Sequence, residues 1–238
     1  MTLSTSKIWA IVPAAGQGKR FSEDKPKQFY ELNGQLIAEH TLSRLLRVSQ
    51  IQAIIIPSNN SLEWSNVPSF KDGKVHRVNG GEQRAHSVLN GLVALQGKAL
   101  DDDWVFIHDM ARPCITLSDI EKLIITLDNH PIGGILAARV NETLKQIGSD
   151  NNILSTVDRS QYRLAQTPQM FRYKLLKDAI CASFEAKIIP TDEASAIEQA
   201  GLEILCVDGR HDNIKITRQE DLPIASAIMK KQEVDQCV

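Results

Sequence analysis

Short apolar runs alternate with amphipathic stretches along most of this chain, and that rhythm limits its fold more than any other feature. Ile8-Trp9-Ala10-Ile11-Val12-Pro13 reads as a buried strand. Ala38, Leu42, Leu45 and Leu46 fit one helical stripe. Residues 51–56, 75–78 and 104–107 are further strands. Ala85, Val88, Leu89, Leu92 and Val93 recur at the spacing of a core-facing helix. Leu117, Ile120, Leu123, Ile124 and Leu127 predict another helix, and residues 133–138 another strand. The alternation predicts an α/β fold, a mostly parallel twisted sheet with helices on both faces. Ligands of such sheets sit at the strand C-terminal ends.

The rhythm breaks between about residues 139 and 166. Strand-like Thr143-Leu144-Lys145-Gln146-Ile147 meets the polar turn Gly148-Ser149-Asp150-Asn151-Asn152. Alternating Ile153, Ser155, Val157 and Arg159 follow, so an inserted β-hairpin arm is expected. A two-stranded hairpin is marginal alone and must pack on something. A second subunit is the natural candidate. The pattern then resumes with a helix from about Tyr173 and a short helix over 193–200 that ends at Gly201. A strand over 203–207 and a last helix from Gln219 complete it. Residues 1–238 are read as a single domain carrying the arm, without repeats or low-complexity segments.

With 42% hydrophobic residues the chain can bury a substantial core. A net charge of -2 gives no global attraction to nucleic acid or to an anionic membrane. No apolar run reaches transmembrane length, and the first residues lack a secretory h-region. Cys114, Cys181, Cys206 and Cys237 are widely spaced, with neither Cys-x-x-Cys nor paired histidine ligands. A zinc site or disulfide framework is therefore not expected, which points to a reducing cytoplasm.

The loop after the first strand carries the chemistry. Ala14-Ala15-Gly16-Gln17-Gly18-Lys19-Arg20 is followed by Lys25-Pro26-Lys27-Gln28. Small residues at a strand end let backbone N–H groups approach phosphate oxygens. The cations can then balance charge on a reacting phosphorus. Two familiar phosphate motifs are excluded. A dinucleotide fingerprint needs a third small residue where Phe21 stands, and an acidic ribose anchor where Ser58-Asn59-Asn60 follows the second strand. A P-loop needs Ser or Thr after Gly18-Lys19, where Arg20 stands.

Gly80-Gly81-Glu82-Gln83-Arg84-Ala85-His86-Ser87 opens the second helix. Arg84, Ser87 and Gly91 fall off its apolar stripe near an end whose dipole favours anions, and paired glycines permit backbone contact with a base edge. A plain loop-to-helix junction has the same look. His108-Asp109-Met110-Ala111-Arg112-Pro113 follows the fourth strand, where an acid suits ribose hydroxyls or a metal-bound water, and Arg112 a phosphate. A surface ion pair is the plainer alternative. Thr191-Asp192-Glu193-Ala194-Ser195 reads first as a helix start, an N-cap with acids in the first turn.

Together, and in order, Ala-Ala-Gly-x-Gly-x-Arg, Pro-Lys-Gln, Gly-Gly-x-x-Arg-x-x-Ser, His-Asp-x-Ala-Arg-Pro, Thr-Val-Asp-Arg, Thr-Pro-Gln, Thr-Asp-Glu-Ala-Ser and Asp-Asn-Ile-Lys resemble one family closely. It is that of the 2-C-methyl-D-erythritol 4-phosphate cytidylyltransferases of the non-mevalonate isoprenoid route. The resemblance runs over about residues 8–228. It implies a Rossmann-like nucleotidyltransferase domain and a homodimer joined through the arm. It also implies transfer of CMP from CTP to the sugar phosphate, with release of pyrophosphate and with Mg²⁺ as cofactor. By matching position, Arg20 and Lys27 would stabilise the transition state, and Arg159 and Lys215 would position the sugar phosphate. Ala14, Ala15, Gly16, Gly18, Gly81, Glu82, Ser87 and Asp109 would form the CTP site. Arg112, Thr143 and Thr167 would surround the second substrate. Glu82 stands where Asp is usual and Met110 where Ala is usual, both in the implied nucleotide site.

A phosphate monoester is mostly a dianion at neutral pH, its second pKa being about 6, so the nucleophile needs no general base. The catalyst must bring two polyanions together with cations and alignment. Mg²⁺ is expected to be held largely by the triphosphate, with Asp109 as an aid. The same chemistry on another polyol phosphate, such as ribitol 5-phosphate, is the nearest alternative. An NAD-dependent oxidoreductase is opposed by the missing glycine and acidic anchor. A nucleotide sensor without turnover is opposed by the presence of both Arg20 and Lys27.

Overall fold

A computed structural model describes residues 7–16, 21, 22, 24–59 and 61–236. The elements run in the order β1 (Ile8–Ile11), β2 (Glu31–Leu32), β3 (Gln35–Leu36), α1 (Ile37–Leu46), β4 (Ile51–Ser58), β5 (Val75–Asn79), α2 (Arg84–Ala94), β6 (Trp104–Ile107) and α3 (Leu117–Leu127). They continue with β7 (Gly133–Arg139), β8 (Lys145–Ile147), β9 (Ile153–Thr156), β10 (Arg163–Arg172), α4 (Tyr173–Glu185), α5 (Glu193–Gln199), β11 (Leu205–Asp208) and α6 (Asp221–Gln236).

Seven strands form one sheet in the order β11-β7-β10-β6-β1-β4-β5. All neighbours are parallel except β10, which runs antiparallel between β6 and β7. Apolar residues on successive positions bury both faces. Ala10, Ile54, Ile56 and Phe106 face α1 and α3, through Leu42, Leu45, Ile120 and Leu123. Ile11, Ile55, Val105 and Ile107 face α2, α4 and α5, through Val88, Leu92, Leu176 and Ile197. This is why the central strands read as continuous apolar runs rather than as alternating ones. A third apolar cluster seats α6, through Ala225 and Met229, on Ile37, Cys114 and Ile216.

β10 is absent from the sequence expectation, which passes from the arm to the helix at Tyr173. Its register with β7 is interrupted between Ala165 and Gln169, where the Thr167–Pro168 peptide is cis. A proline within the polar run Gln166-Thr167-Pro168-Gln169 carries none of the usual marks of a central strand. Gly91 also differs from expectation. A Cβ there would lie 2.7 Å from Ile11 Cγ2, so this position faces the sheet and is required by close packing.

The arm forms as expected. β8 and β9 make their own antiparallel two-stranded sheet, separate from the main one. Every residue of both strands is exposed.

Candidate active site

β1, β4, β5 and β6 end on the same side of the sheet, and a cavity of about 310 Å³ opens there. Residues 13–16 after β1 line it, with Lys27 and Gln28, residues 81–84 and Ser87 at the start of α2, residues 109–111 after β6, and Lys215. Ala14, Ala15, Gly16, Gly81, Glu82, Ser87, Asp109, Lys27 and Lys215 thus meet in one place. Gly18 and Arg20 lie outside the described residues. Met110 lines the cavity through a largely buried side chain, its carbonyl accepting from Thr41 Oγ1 at 2.8 Å.

Close backbone approach explains the paired glycines. A Cβ on Gly80 would sit 2.3 Å from Ala15 Cβ, and one on Gly81 2.3 Å from His86 Cβ. Ser87 closes this turn: its Oγ accepts from Gly81 N–H at 3.0 Å and donates to Gln83 O at 3.2 Å. Gln28 donates to Ala14 O at 3.0 Å and braces the small-residue loop. Lys27 Nζ donates to Ile216 O at 2.8 Å.

Asp109 is the electrostatic hub. Its carboxylate meets Arg84 Nε at 3.2 Å, Arg112 Nε at 3.3 Å and Lys215 Nζ at 2.9 Å. Burial opposes its ionisation, but the charges of Arg84, Lys215 and Arg112 outweigh burial and hold the carboxyl far below the usual range. Arg84 also forks onto Glu193, at 2.7 and 3.0 Å. Burial likewise opposes the charge of Arg84, and Glu193 with Asp109 more than restores it. Burial pushes the Glu193 carboxyl up from its ordinary value, against the pull of Arg84.

Arg112 and Thr167 do not line the cavity but lie behind Asp109. Arg112 Nη1 donates to Asn213 O at 2.8 Å. Thr167 Oγ1 accepts from Asp109 N–H at 3.0 Å and stands 3.1 Å from His108 Nδ1. His108 Nε2 stands 3.2 Å from the Arg112 carbonyl, which can only accept. The ring therefore carries its proton on Nε2, and Nδ1 accepts from Thr167. Burial pushes the His108 pKa down to about 4, so the imidazole is neutral at pH 7. Arg159 and Thr143 are elsewhere, exposed on the arm, and the Arg159 guanidinium donates to Asn141 O.

Among the described residues, no three His, Cys, Asp or Glu side chains converge to hold a metal ion. Both Asp109 oxygens already face cations. This donor set does not suit a cage made by the protein, and a Mg²⁺ arriving on a polyphosphate would share the one lining carboxylate, Asp109, with those cations.

Residues 8–231 match the family model described as 2-C-methyl-D-erythritol 4-phosphate cytidylyltransferase. The chain belongs to that family. The cytidylyltransferase of Pseudomonas entomophila is 43% identical over 224 residues, 93% of this chain and 95% of that protein. That of Tolumonas auensis is 44% identical over 227 residues, 95% of this chain and 98% of its own. The crystal structure of the cytidylyltransferase of Francisella tularensis superposes with a TM-score of 0.79 at 37% identity, covering 94% of this chain and 100% of that one. Cytidylyltransferase chemistry transfers a nucleotidyl group between two phosphates, and the cavity brings together cations and a backbone cradle suited to that task.

Proposed function

We propose that this cavity is where the chain carries out its family's reaction, the transfer of CMP from CTP to 2-C-methyl-D-erythritol 4-phosphate in isoprenoid precursor biosynthesis. The observation that carries the assignment is the convergence of the small-residue loop, the Gly81–Ser87 turn, Lys27, Lys215 and Asp109 on one space. A phosphate oxygen of the sugar phosphate attacks the α-phosphorus of CTP. A new P–O bond forms, the bond from the α-phosphorus to the α,β-bridging oxygen breaks, and pyrophosphate leaves with that oxygen. The attacking dianion has no proton to lose, so no general base is required. His108 fits this reading, being neutral and bonded to Thr167 and Arg112 rather than aimed into the cavity.

Lys27, with Arg20, offsets the charge that develops on phosphorus and leaving group. Lys215 lines the cavity beside Asp109, 2.9 Å from its carboxylate, and orients the sugar phosphate. Thr167 and Arg112 support the site through the backbone and carboxylate of Asp109. Mg²⁺, carried by the triphosphate with Asp109 as the protein's share, would neutralise phosphate oxygens when bound. The Gly80-Gly81-Glu82 turn selects CTP over UTP and purine triphosphates. A competition assay in which ATP binds as tightly as CTP would refute that selectivity.

The working unit is a two-fold homodimer joined through the arm, whose Ile147, Ile153 and Leu154 are 57%, 66% and 62% exposed in the single chain. Arg159 and Thr143 then reach the second substrate in the neighbour's cavity. The enzyme works in a reducing cytoplasm, consistent with unpaired Cys114, Cys181 and Cys206. No helix among the described residues is long and apolar enough to cross a membrane. Residues 1–238 act as one domain with the arm inserted. Pyrophosphate release with CTP, Mg²⁺ and a panel of polyol phosphates tests the substrate. Release with methylerythritol phosphate and not with ribitol 5-phosphate is expected, and the reverse preference would contradict it.

A further inference from the structure

One buried carboxylate stands just behind the cavity and belongs to a segment that the sequence reading treats as a helix start. Glu193 opens α5, is 2% exposed, and accepts both terminal nitrogens of Arg84 in a parallel fork. The Nε of the same guanidinium turns to Asp109 Oδ1 at 3.2 Å. Arg84 and Asp109 both line the cavity. A continuous path of charge-assisted contacts therefore runs from α5 to the site.

The anchor end of this path is rigid. Asp192 caps α5, accepting from Ser195 N–H at 2.9 Å, while Ser195 Oγ receives the Asp192 N–H. Gln169 on β10 grips the same turn from the sheet. It donates to Asp192 Oδ2 at 2.9 Å and accepts from Ala194 N–H at 2.9 Å. A planar guanidinium held along one edge has its other edge fixed in direction. Glu193 thus sets where the Arg84 Nε–H points, and with it one of the three contacts on the Asp109 carboxylate. A buried ion pair is weak support for stability in itself, since desolvation offsets its attraction. The direction of the Arg84 fork toward the site is what a stability role leaves unexplained.

We infer that Glu193 is a positioning residue for nucleotide binding, acting through Arg84 to fix the Asp109 carboxylate. The inference rests on the reading of the cavity as the CTP site. Because Asp109 and Arg84 flank the bound nucleotide before and during reaction, loosening them weakens ground state and transition state alike. Such a change raises KM and leaves kcat nearly intact.

Steady-state kinetics of Glu193→Gln, Arg84→Gln and the double variant test this. Glu193→Gln is expected to raise KM for CTP about ten-fold while changing kcat less than about three-fold. The double variant is expected to be no worse than Arg84→Gln alone, because the two residues act in series. Multiplying effects in the double variant would overturn the inference. So would a fall in kcat at unchanged KM, the mark of a contact made only in the transition state or of a smaller folded fraction. If Glu193→Gln does not fold, Glu193→Asp keeps the charge, shortens the reach and enters the same cycle with the same outcomes. An altered KM in Arg84→Gln and Asp109→Asn, with Glu193→Gln unaffected, would overturn the inference alone. An unaltered KM in those two variants would overturn the reading of the cavity, and the inference with it.

Discussion

Two groups of residues share one proposed reaction but sit in opposite surroundings. The Asp109 carboxylate is buried and heavily bonded, with the half-buried Arg84, Arg112 and Lys215 all on it. The arm group, Arg159 and Thr143, is exposed on the arm just outside its two-stranded sheet of β8 and β9. The first group is complete within one chain, because the sheet, α2, α5 and the segment at Lys215 all hold it. In the second, the Arg159 guanidinium donates only to the Asn141 carbonyl of the same arm among the described residues, and neither residue lines the cavity. Position relative to the core, rather than residue type, therefore separates the group a single chain organises from the group whose proposed role calls for a second copy.

The largest expected effect is at the centre of the buried group. Asp109→Asn leaves three clustered cations without their shared partner, and removing one member of a buried charge network costs about 3–5 kcal/mol. Urea unfolding should show that loss, and a change below about 0.5 kcal/mol would mean the cluster is a solvated surface pair. Lys27→Ala, and equally Arg20→Ala, should lower kcat about 10²–10³-fold, the usual cost of one transition-state charge contact. A folded variant with near-normal kcat would show the assignment to be wrong.

The third effect depends on pH. His108 is held at about 4 against an ordinary 6.5. Between those values the unfolded chain binds a proton that the folded chain does not. Stability should therefore fall as pH drops through 6.5 and level off below about 4. The full shift corresponds to about 3 kcal/mol. Asp109, held far below the usual carboxylate range, keeps its charge across this window. His108→Asn should flatten that part of the stability–pH curve, and a wild-type slope persisting in the variant would remove His108 as its source. The smallest effect is on the arm. Arg159→Ala should change stability by less than about 0.5 kcal/mol, as expected of an exposed side chain, while still impairing turnover. A large loss of stability there would erase the contrast between the two groups.

The parts legible in the sequence were those whose signal is local. Apolar runs gave β1, β4 and β6 because parallel strands are buried on both faces, and α2 and α3 followed from helical spacing. The Gly148–Asn152 turn marked the hairpin. β10 was not legible because polar side chains occupy its buried positions. Gln166, Thr167 and Gln169 are 6%, 4% and 1% exposed, and their partners come from distant segments: Arg210 O, Asp109 N–H and the start of α5. Glu193 was hidden for the same reason. An acid in the first turn of a helix already has a local explanation, and only the fold shows that Arg84 lies across from it. Arg84 itself was visible as a residue off the apolar stripe, but not its fork toward Glu193. Gly91 shared that off-stripe position and proved to be a packing residue.

The central claim is that the buried group serves its own chain and the arm serves its neighbour. Mixing a Lys27→Ala chain with an Arg159→Ala chain, each impaired alone, tests it most directly. In a mixed dimer one site collects both defects and the other is wholly wild-type. Random assortment should therefore restore about one quarter of wild-type pyrophosphate release. No restoration, with mixed dimers confirmed by mass, would place Arg159 in its own chain's site and contradict the account.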